Sequence, residues 1–354
     1  MEINDRKNII WPLWIKYKYF NRIPDWISTS FYFAIPALII FTPFIFNNWD
    51  TLIQNEFTLY LKLFFGGLWV LYGPLFMFRY DKIYLRFWEG ISTIYIKDDL
   101  KKQINYYDNQ IIKLSRWISI VWCSMITSVL IIDPSYLKIF GIEGWSDPYL
   151  YIFILLMIYL IHLTALGFTG SFITIKIILS LIKSDSVRLN EYDSDSVGGF
   201  SSFGNFSLST TILFSTGVLF IPILYDYAIH SGIIVQLLIF SAVILYGISI
   251  VLVFIIPVTL AFKKAEKDKD ELINSALIKY KEYRNSGKNA EELNTFNYLN
   301  YLNGLTTYPF NFNNLFKISM TALFPIVLYF TQMLLDPGSI LYNWKEVLEK
   351  IGIN

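Results

Sequence analysis

The sequence predicts an all-α, polytopic membrane protein with six or seven transmembrane helices and long helices that extend into a cytosolic stalk. Of its 354 residues, 55% are hydrophobic and only 16% are charged, whereas soluble domains average about 45–50% and 25%. Seven apolar stretches approach the roughly 20 residues that a bilayer crossing requires. Lysine and arginine are concentrated in alternate connections between these stretches, as the positive-inside rule expects.

The connections between the apolar stretches differ sharply in charge. The 47–58 and 225–231 connections contain no lysine or arginine, whereas the 79–116 connection contains eight. Segments on one side of the predicted membrane hold 25 of the 29 basic residues. That side is the cytoplasm, so the N-terminus is cytoplasmic and the external loops are short. The predicted spans are Ser30–Phe46, Leu59–Phe78, Trp117–Ile132, Tyr149–Gly167, Leu208–Leu224, Gly232–Phe262 and Ile318–Leu335.

Charge and hydropathy divide the chain into four regions. Between the first six spans, connections 79–116 and 168–206 are predicted to be cytosolic. The C-terminal tail is external if segment 318–335 crosses fully, and internal if that segment re-enters the cytosolic side. In chain order the regions are an amphipathic interfacial segment (1–29), the first six membrane helices (30–262), a cytosolic helical region (263–316), and the last membrane helix with the tail (317–354).

Three segments predict helices longer than a bilayer needs. The stretch Gly232–Arg284 is interrupted only by Pro257, and as a helix it would be about 80 Å long. Beyond the membrane its apolar residues recur every three or four positions, which is typical of a packed amphipathic helix. The stretch Tyr149–Lys183 would be about 52 Å long, and Leu100–Ile132 shows the same pattern. These extensions predict the helical stalk.

The composition argues against an enzyme. Two histidines and one cysteine, Cys123, are too few for a common zinc cluster or for a cysteine–histidine pair with an orienting residue. The sequence also has no P-loop, HExxH or GxSxG motif. We therefore expect no catalytic residue, no cofactor and no metal site. His162 is an intramembrane polar residue, either functional or a neutral histidine hydrogen-bonded to a neighbouring helix.

The segment 193–204, DSDSVGGFSSFG, is the most unusual local sequence. Its aspartates offer carboxylates, and its paired glycines let backbone amides approach a ligand such as a phosphate or a cation. The alternative is a tight cytosolic turn followed by a helix that Ser207 or Ser209 caps. The candidate ligand-binding or gating residues are Asp193, Asp195, Gly198, Gly199 and Gly204.

Hydroxyl side chains follow one face of the fifth predicted span. Ser207, Thr211 and Ser215 are four residues apart and therefore share a helix face. Such a face suits the lining of a water-filled pore, and it suits close helix–helix packing equally well. The third predicted span carries a second set of hydroxyls, Ser124, Thr127 and Ser128.

On these motifs the chain resembles a family of bacterial multi-pass membrane proteins. Its members carry an Asp-x-x-Gly-Gly-(Leu/Phe)-x-x-(Leu/Phe)-Gly turn before one membrane helix and a Pro-Phe turn before a last, proline-containing one. In size and layout the chain is also similar to the membrane effectors of Hailong-type anti-phage defence systems. The resemblance implies an oligomeric channel of the bacterial inner membrane, controlled by a nucleotide-derived signal. The matching positions are Asp195, Gly198, Gly199, Phe200, Phe203 and Gly204, then Pro309, Phe310 and Pro325.

Three functions fit these features. The first is an oligomeric ion channel or pore-forming effector of antiviral defence, expected to be a homo-tetramer that a cytosolic nucleotide, oligonucleotide or soluble partner protein gates. The second is a secondary transporter, because prolines such as Pro36, Pro74 and Pro222 interrupt several spans. The third is a membrane sensor or scaffold without conduction, in which the helix around 266–284 docks a soluble protein.

Overall fold

Six helices account for most of the chain that the structure describes. The computed structural model describes residues 79–97, 99–132, 142, 144–193, 195, 197–217 and 233–308, with Pro24, Ile27 and Val327 as single residues. In chain order the helices are α1 (79–91), α2 (Leu100–Ile132), α3 (Pro148–Lys183), α4 (Ser201–Ser215), α5 (Ile233–Asn285) and α6 (Asn289–Gly304).

Several sequence predictions fall outside the described residues. Apart from the three single residues, these are the interfacial segment 1–29, the spans 30–46, 59–78 and 318–335, and the C-terminal tail. The fifth predicted span lies outside beyond residue 217. The second part of the family motif, Pro309, Phe310 and Pro325, also lies outside.

The three predicted long helices are confirmed by α2, α3 and α5. Helix α3 has 36 residues, and α5 continues for 53 residues without a break. Two helices, Pro148–Lys183 and Val235–Asn285, are long and apolar enough to cross a membrane by length and composition. In the most apolar 18-residue stretch of each helix, only 33% of the residues are buried within the chain. The helical class is therefore confirmed, and the total of six or seven spans stays a prediction.

Local signals set the ends of α3. The Asp147 side chain accepts the N–H of Tyr149 at 2.9 Å, and Pro148 occupies the first helical position. At the other end the chain turns at Asp185, which is the only non-glycine residue with positive φ (50°) in the described chain. The segment that follows forms one antiparallel bridge, Tyr95 with Val187, and the described residues contain no longer strand.

The largest core lies in a unit that we call the hub, residues 79–115, 173–206 and 261–305. Its centre is an aromatic cluster between α1 and α4. The rings of Phe87 and Phe206 stack with centroids 4.3 Å apart, and Trp88 and Phe203 each meet Phe87 edge-on at 5.5 Å. These large apolar side chains bury the most surface per residue, so they fix α1 against α4.

Helices α3, α4 and α5 pack against one another, α2 packs on α3, and α6 folds back on α5. The last contact is closed by Lys269 of α5, whose Nζ donates to the carbonyl of Asn303 at 3.1 Å and of Leu305 at 2.7 Å. A cation at the end of a helix satisfies its free carbonyls and complements its dipole. The end of α6 is thereby anchored to α5.

Candidate functional site

The Asp195 carboxylate organises the predicted gating turn. Its Oδ1 accepts the N–H of Val197 at 2.9 Å and of Gly199 at 2.8 Å, and its Oδ2 accepts the N–H of Ser201 at 3.1 Å. These bonds satisfy amides that the start of α4 would otherwise leave unpaired. The helix begins at Ser201, so the alternative cap at Ser207 or Ser209 is wrong: Asp195 supplies the acceptor six residues earlier.

These hydrogen bonds also set the ionisation of Asp195. Partial burial disfavours the charged form, but the bonds from Gly199, Ser201 and Val197 outweigh it and hold the pKa of this carboxyl below its usual range. Because the pKa is lower in the folded state, the carboxylate stabilises the fold above about pH 4. That contribution is lost as the pH falls through the lowered pKa.

Asp193 ties the same turn to the end of α1. Its Oδ1 accepts the N–H of Asp195 at 3.2 Å, and its Oδ2 accepts the hydroxyl of Thr93 at 3.1 Å. Both acidic side chains of the predicted site therefore bind the protein itself. In this arrangement the turn is a structural joint between α1 and α4, and the ligand-binding role of these residues stays a prediction.

The paired glycines are required by backbone shape and by lack of space. Gly198 has φ +65° and Gly199 has φ +85°, in the region that side chains strongly disfavour. A Cβ at Gly198 would lie 2.5 Å from Leu189 Cγ, and a Cβ at Gly199 would overlap Ile94 Cγ2. Gly204, the last residue of the motif, is buried within α4 rather than in the turn.

The segment before this turn is held by α5 and α6. Asp268 of α5 accepts the N–H of Leu189 at 3.0 Å. From α6, Tyr298 donates its hydroxyl to the Glu191 carboxylate and Tyr301 donates to the Glu191 carbonyl. Burial and the neighbouring Glu191 carboxylate raise the pKa of the Tyr298 phenol, which stays protonated as a donor. We call residues 184–200 the connector, since they join α3 to α4 and contact α1, α5 and α6.

These partners of the connector carry little signal in the sequence. Lys264 and Asp268 stand four residues apart on α5, a spacing that signals an ion pair on a helix surface. Nothing in the sequence shows that both are buried, because burial depends on the distant segments that cover them. Glu191 and Tyr298 are 107 residues apart, and neither belongs to a recognisable motif.

Ser207, the first candidate for a pore-lining residue, contacts α5 at its proline. Pro257 lies inside α5 and has no N–H to donate to the carbonyl of Val253. The hydroxyl of Ser207 donates to that carbonyl at 3.0 Å. Serine hydroxyls commonly restore a hydrogen bond that a proline removes from an apolar helix. Ser207 therefore has a structural role beside Pro257.

Thr211 and Ser215 are also buried within the chain. Thr211 donates to the carbonyl of Ser207 at 2.8 Å, and Ser215 donates to that of Ile212 at 2.8 Å. A pore along this face would require α4 to separate from α5, and the pore-lining role stays a prediction. The second set of hydroxyls on α2, Ser124, Thr127 and Ser128, is exposed in the described chain.

His162 pairs with the neighbouring helix. Its Nδ1 lies 3.2 Å from the hydroxyl of Ser119 on α2, and that hydroxyl also donates to the carbonyl of Ser115 at 2.8 Å. The Nε2 atom is buried and has no hydrogen-bond partner among the described residues. Within that part of the chain, no group of three or more His, Cys, Asp or Glu side chains could hold a metal ion.

Replacing Gly199 by valine is expected to lower the free energy of unfolding by at least about 2 kcal/mol, because it adds strain at positive φ and overlap with Ile94. Denaturant or thermal unfolding of the detergent-purified protein measures this loss. Gly287→Val is the matched control, since Gly287 has φ +66° and open space around it. It should cost about 1–2 kcal/mol for the backbone alone. Equal losses at both sites would contradict the overlap.

Ser207→Ala is expected to destabilise the protein by about 1–3 kcal/mol, because it leaves the buried carbonyl of Val253 unpaired. In a Pro257→Ala background, the alanine N–H can donate to that carbonyl. The same Ser207→Ala change should then cost less than about 0.5 kcal/mol. A double-mutant cycle on unfolding free energies measures this coupling, and additive effects would show that Ser207 does not compensate for the proline.

Comparison of the chain with protein-family models, with curated proteins and with solved structures gives no match.

Proposed function

We propose that the chain is a subunit of an oligomeric ion channel or pore-forming effector in the bacterial inner membrane. Its N-terminus and hub lie in the cytoplasm, and the hub gates the pore. The observation that carries this proposal is the continuity of α3 and α5, which run without a break from exposed apolar surface into the packed hub. A change in the hub therefore acts directly on helices that contact lipid.

The first support is a set of exposed apolar side chains that we call the apolar band. On α5 it extends from Leu237 to Ile255, a rise of about 27 Å, and on α3 from Tyr151 to Phe172, about 32 Å. The hydrocarbon core of a bilayer is about 30 Å thick. Other members of the band include Trp117, Ile120, Val121 and Met125 on α2, Ile158 on α3, Ile212 on α4, and Leu245, Ile248 and Leu252 on α5.

The second support is that exposed lysines lie beside the same end of the apolar band on α2, α3 and α5. Exposed lysines follow the band directly, Lys176 after it on α3 and Lys263 after it on α5, while Lys113 precedes it on α2. Lys176 lies 3.3 Å from the Gln110 side chain of α2, which aligns the charged ends of the two helices. Basic residues beside a hydrophobic band are typical of the cytoplasmic interface.

The proposed trigger is a nucleotide or oligonucleotide signal, or a soluble partner protein, that binds the hub. Exposed basic side chains at the end of α3 and on the connector, Lys183 and Arg188, would attract an anionic signal. With the resemblance to anti-phage effectors, this supports a role in antiviral defence. Ser207, Thr211 and Ser215 of α4 would line the pore only in a state in which α4 and α5 separate.

A second candidate function is a membrane scaffold without conduction. Large apolar side chains are exposed at the far end of the hub, where they suit a soluble protein partner better than lipid. Ile278 is 61% exposed and Leu293 is 59% exposed, and Phe296 stands nearby, with its ring 6.3 Å from that of Tyr280.

Membrane insertion is tested with two side chains of equal exposure on α5, Leu245 (63%) and Ile278 (61%). Each is replaced by cysteine in a Cys123→Ser background, and the protein is reconstituted in lipid nanodiscs. A water-soluble maleimide should label Ile278→Cys, while Leu245→Cys should stay unlabelled until detergent or denaturant exposes it. Rapid labelling of both cysteines in nanodiscs would contradict the proposed membrane position of the band.

The channel itself is tested by the oligomeric state and conductance of the full chain. Mass photometry and electron microscopy of nanodisc particles should show a symmetric ring, with four copies expected. Planar-bilayer recording should then detect discrete conductance steps. A monomer or simple dimer that transports solute without such steps would favour a transporter. A stable oligomer that never conducts, with or without hub ligands, would favour the scaffold.

A further inference from the structure

Lys264 is a buried cation at the point where α5 enters the hub. Its Nζ binds the Asp185 carboxylate and lies 2.8 Å from Asp268 Oδ1. Lys264 is 8% exposed and Asp268 is 7% exposed. A charge removed from water is strongly unfavourable unless opposite charges and hydrogen bonds replace the water. The buried Asp268 and the 59% exposed Asp185 therefore balance the charge of Lys264.

The same cluster joins α5 to the connector. While Asp268 Oδ1 contacts Lys264, its other oxygen accepts the N–H of Leu189 at 3.0 Å. Asp185 belongs to the first turn after α3, so Lys264 is held from that side as well. Three charged side chains thus connect the end of α3, the connector and α5 at one point.

Asp185 lies at a backbone position where helices usually place glycine. The N–H of Ser186 donates to Leu181 and that of Asp185 donates to Ile182, both at 3.2 Å. This is the Schellman motif, in which the residue at positive φ is usually glycine. An aspartate at φ 50° adopts a conformation that favours glycine and that Asp and Asn tolerate better than most side chains. Its hydrogen bond to Lys264, with the lysine's charge, lowers the pKa of Asp185, so this carboxylate is ionised at neutral pH.

Pro257 gives α5 a weak point between the apolar band and Lys264. It removes one backbone hydrogen bond, and the Ser207 hydroxyl from α4 takes its place. Pro257 and Lys264 are about 10 Å apart along the helix. Prolines are the commonest cause of sharp helix bends. Beyond this point, the hub half of α5 is held by Lys264 and Asp268.

We propose that the Lys264–Asp185–Asp268 cluster is a latch that controls bending of α5 at Pro257. With the latch closed, the hub half of α5 is fixed against the end of α3. When the latch opens, that half swings relative to the apolar band. This motion gates a pore only if the proposed channel function holds. The latch itself consists of ion pairs within the hub and does not depend on that function.

The latch is tested by hydrogen–deuterium exchange of the full chain in nanodiscs. Asp185→Asn removes the charge and keeps a residue that tolerates positive φ. It should raise exchange in residues 184–190 and in the α5 segment after Pro257 by about tenfold, because the buried Lys264 loses one of its two ionic partners and keeps only Asp268. The control, Glu271→Gln, breaks the exposed 3.7 Å pair with Lys267 on the same helix and should change nothing there.

A second variant separates charge from backbone shape. If residue 185 only ends α3, Asp185→Gly should leave exchange unchanged or lower it, because glycine relieves the strain. If the carboxylate is a latch, Asp185→Gly should raise exchange as much as Asp185→Asn does. Unchanged exchange in both variants would overturn the latch. Continued protection around Leu299 and Leu302 of α6, which are buried in the hub core, distinguishes local opening from global unfolding.

The hinge has its own test. Adding Pro257→Ala to Asp185→Asn restores the backbone hydrogen bond of α5. It should cancel the increase in exchange in α5 but not in the connector, and persistence of both increases would overturn the hinge.

Exchange is measured independently of conductance. If exchange rises but the protein never conducts, the latch is supported and the channel function is rejected. If the protein conducts but exchange is unchanged, the channel function is supported and the latch is rejected.

Discussion

The described structure depends on aspartate side chains that accept hydrogen bonds from the backbone of the connector. Residues 184–200 contact the turn after α1 through Thr93, and they contact α5 and α6 through Asp268 and Tyr298. A segment in this position needs partners for amides that no helix or sheet satisfies. Asp195 supplies three hydrogen bonds and Asp268 one. Without these acceptors the connector could not lie between the helices, and α3, α4 and α5 would lose their common joint.

A second theme is that polar residues on apolar helices serve packing inside the chain. The hydroxyls of α4 contact backbone carbonyls of α4 and α5, and Ser207 compensates for the bond that Pro257 removes. In a lipid environment each such carbonyl must find a donor within the protein. Ser207 meets this need for the carbonyl of Val253, whereas Thr211 and Ser215 donate to carbonyls of their own helix.

Sequence reasoning located the unusual turn correctly and left its role open. The spacing of Asp195, Gly198 and Gly199 indicated a special backbone, and the structure gives both glycines positive φ. The helix start was placed too late, at Ser207 or Ser209, because serines are frequent caps and the reach of Asp195 across six residues was not considered. The partners of the connector could not be predicted, since Asp268 and Tyr298 approach it only after the chain folds back.

Features that depend on local composition and period can be predicted from the amino-acid sequence alone. These are the helical class, the extents of α2, α3 and α5, and the apolar character of the last two. Hydrophobic period and the absence of helix-breaking residues act within a few turns, so they are visible in a single sequence. Which polar groups are buried, and what they bind, depends on how distant segments pack together. Lys264 and Lys267 look alike in sequence, yet one is enclosed by two carboxylates and the other is exposed, because burial is set by segments far away along the chain.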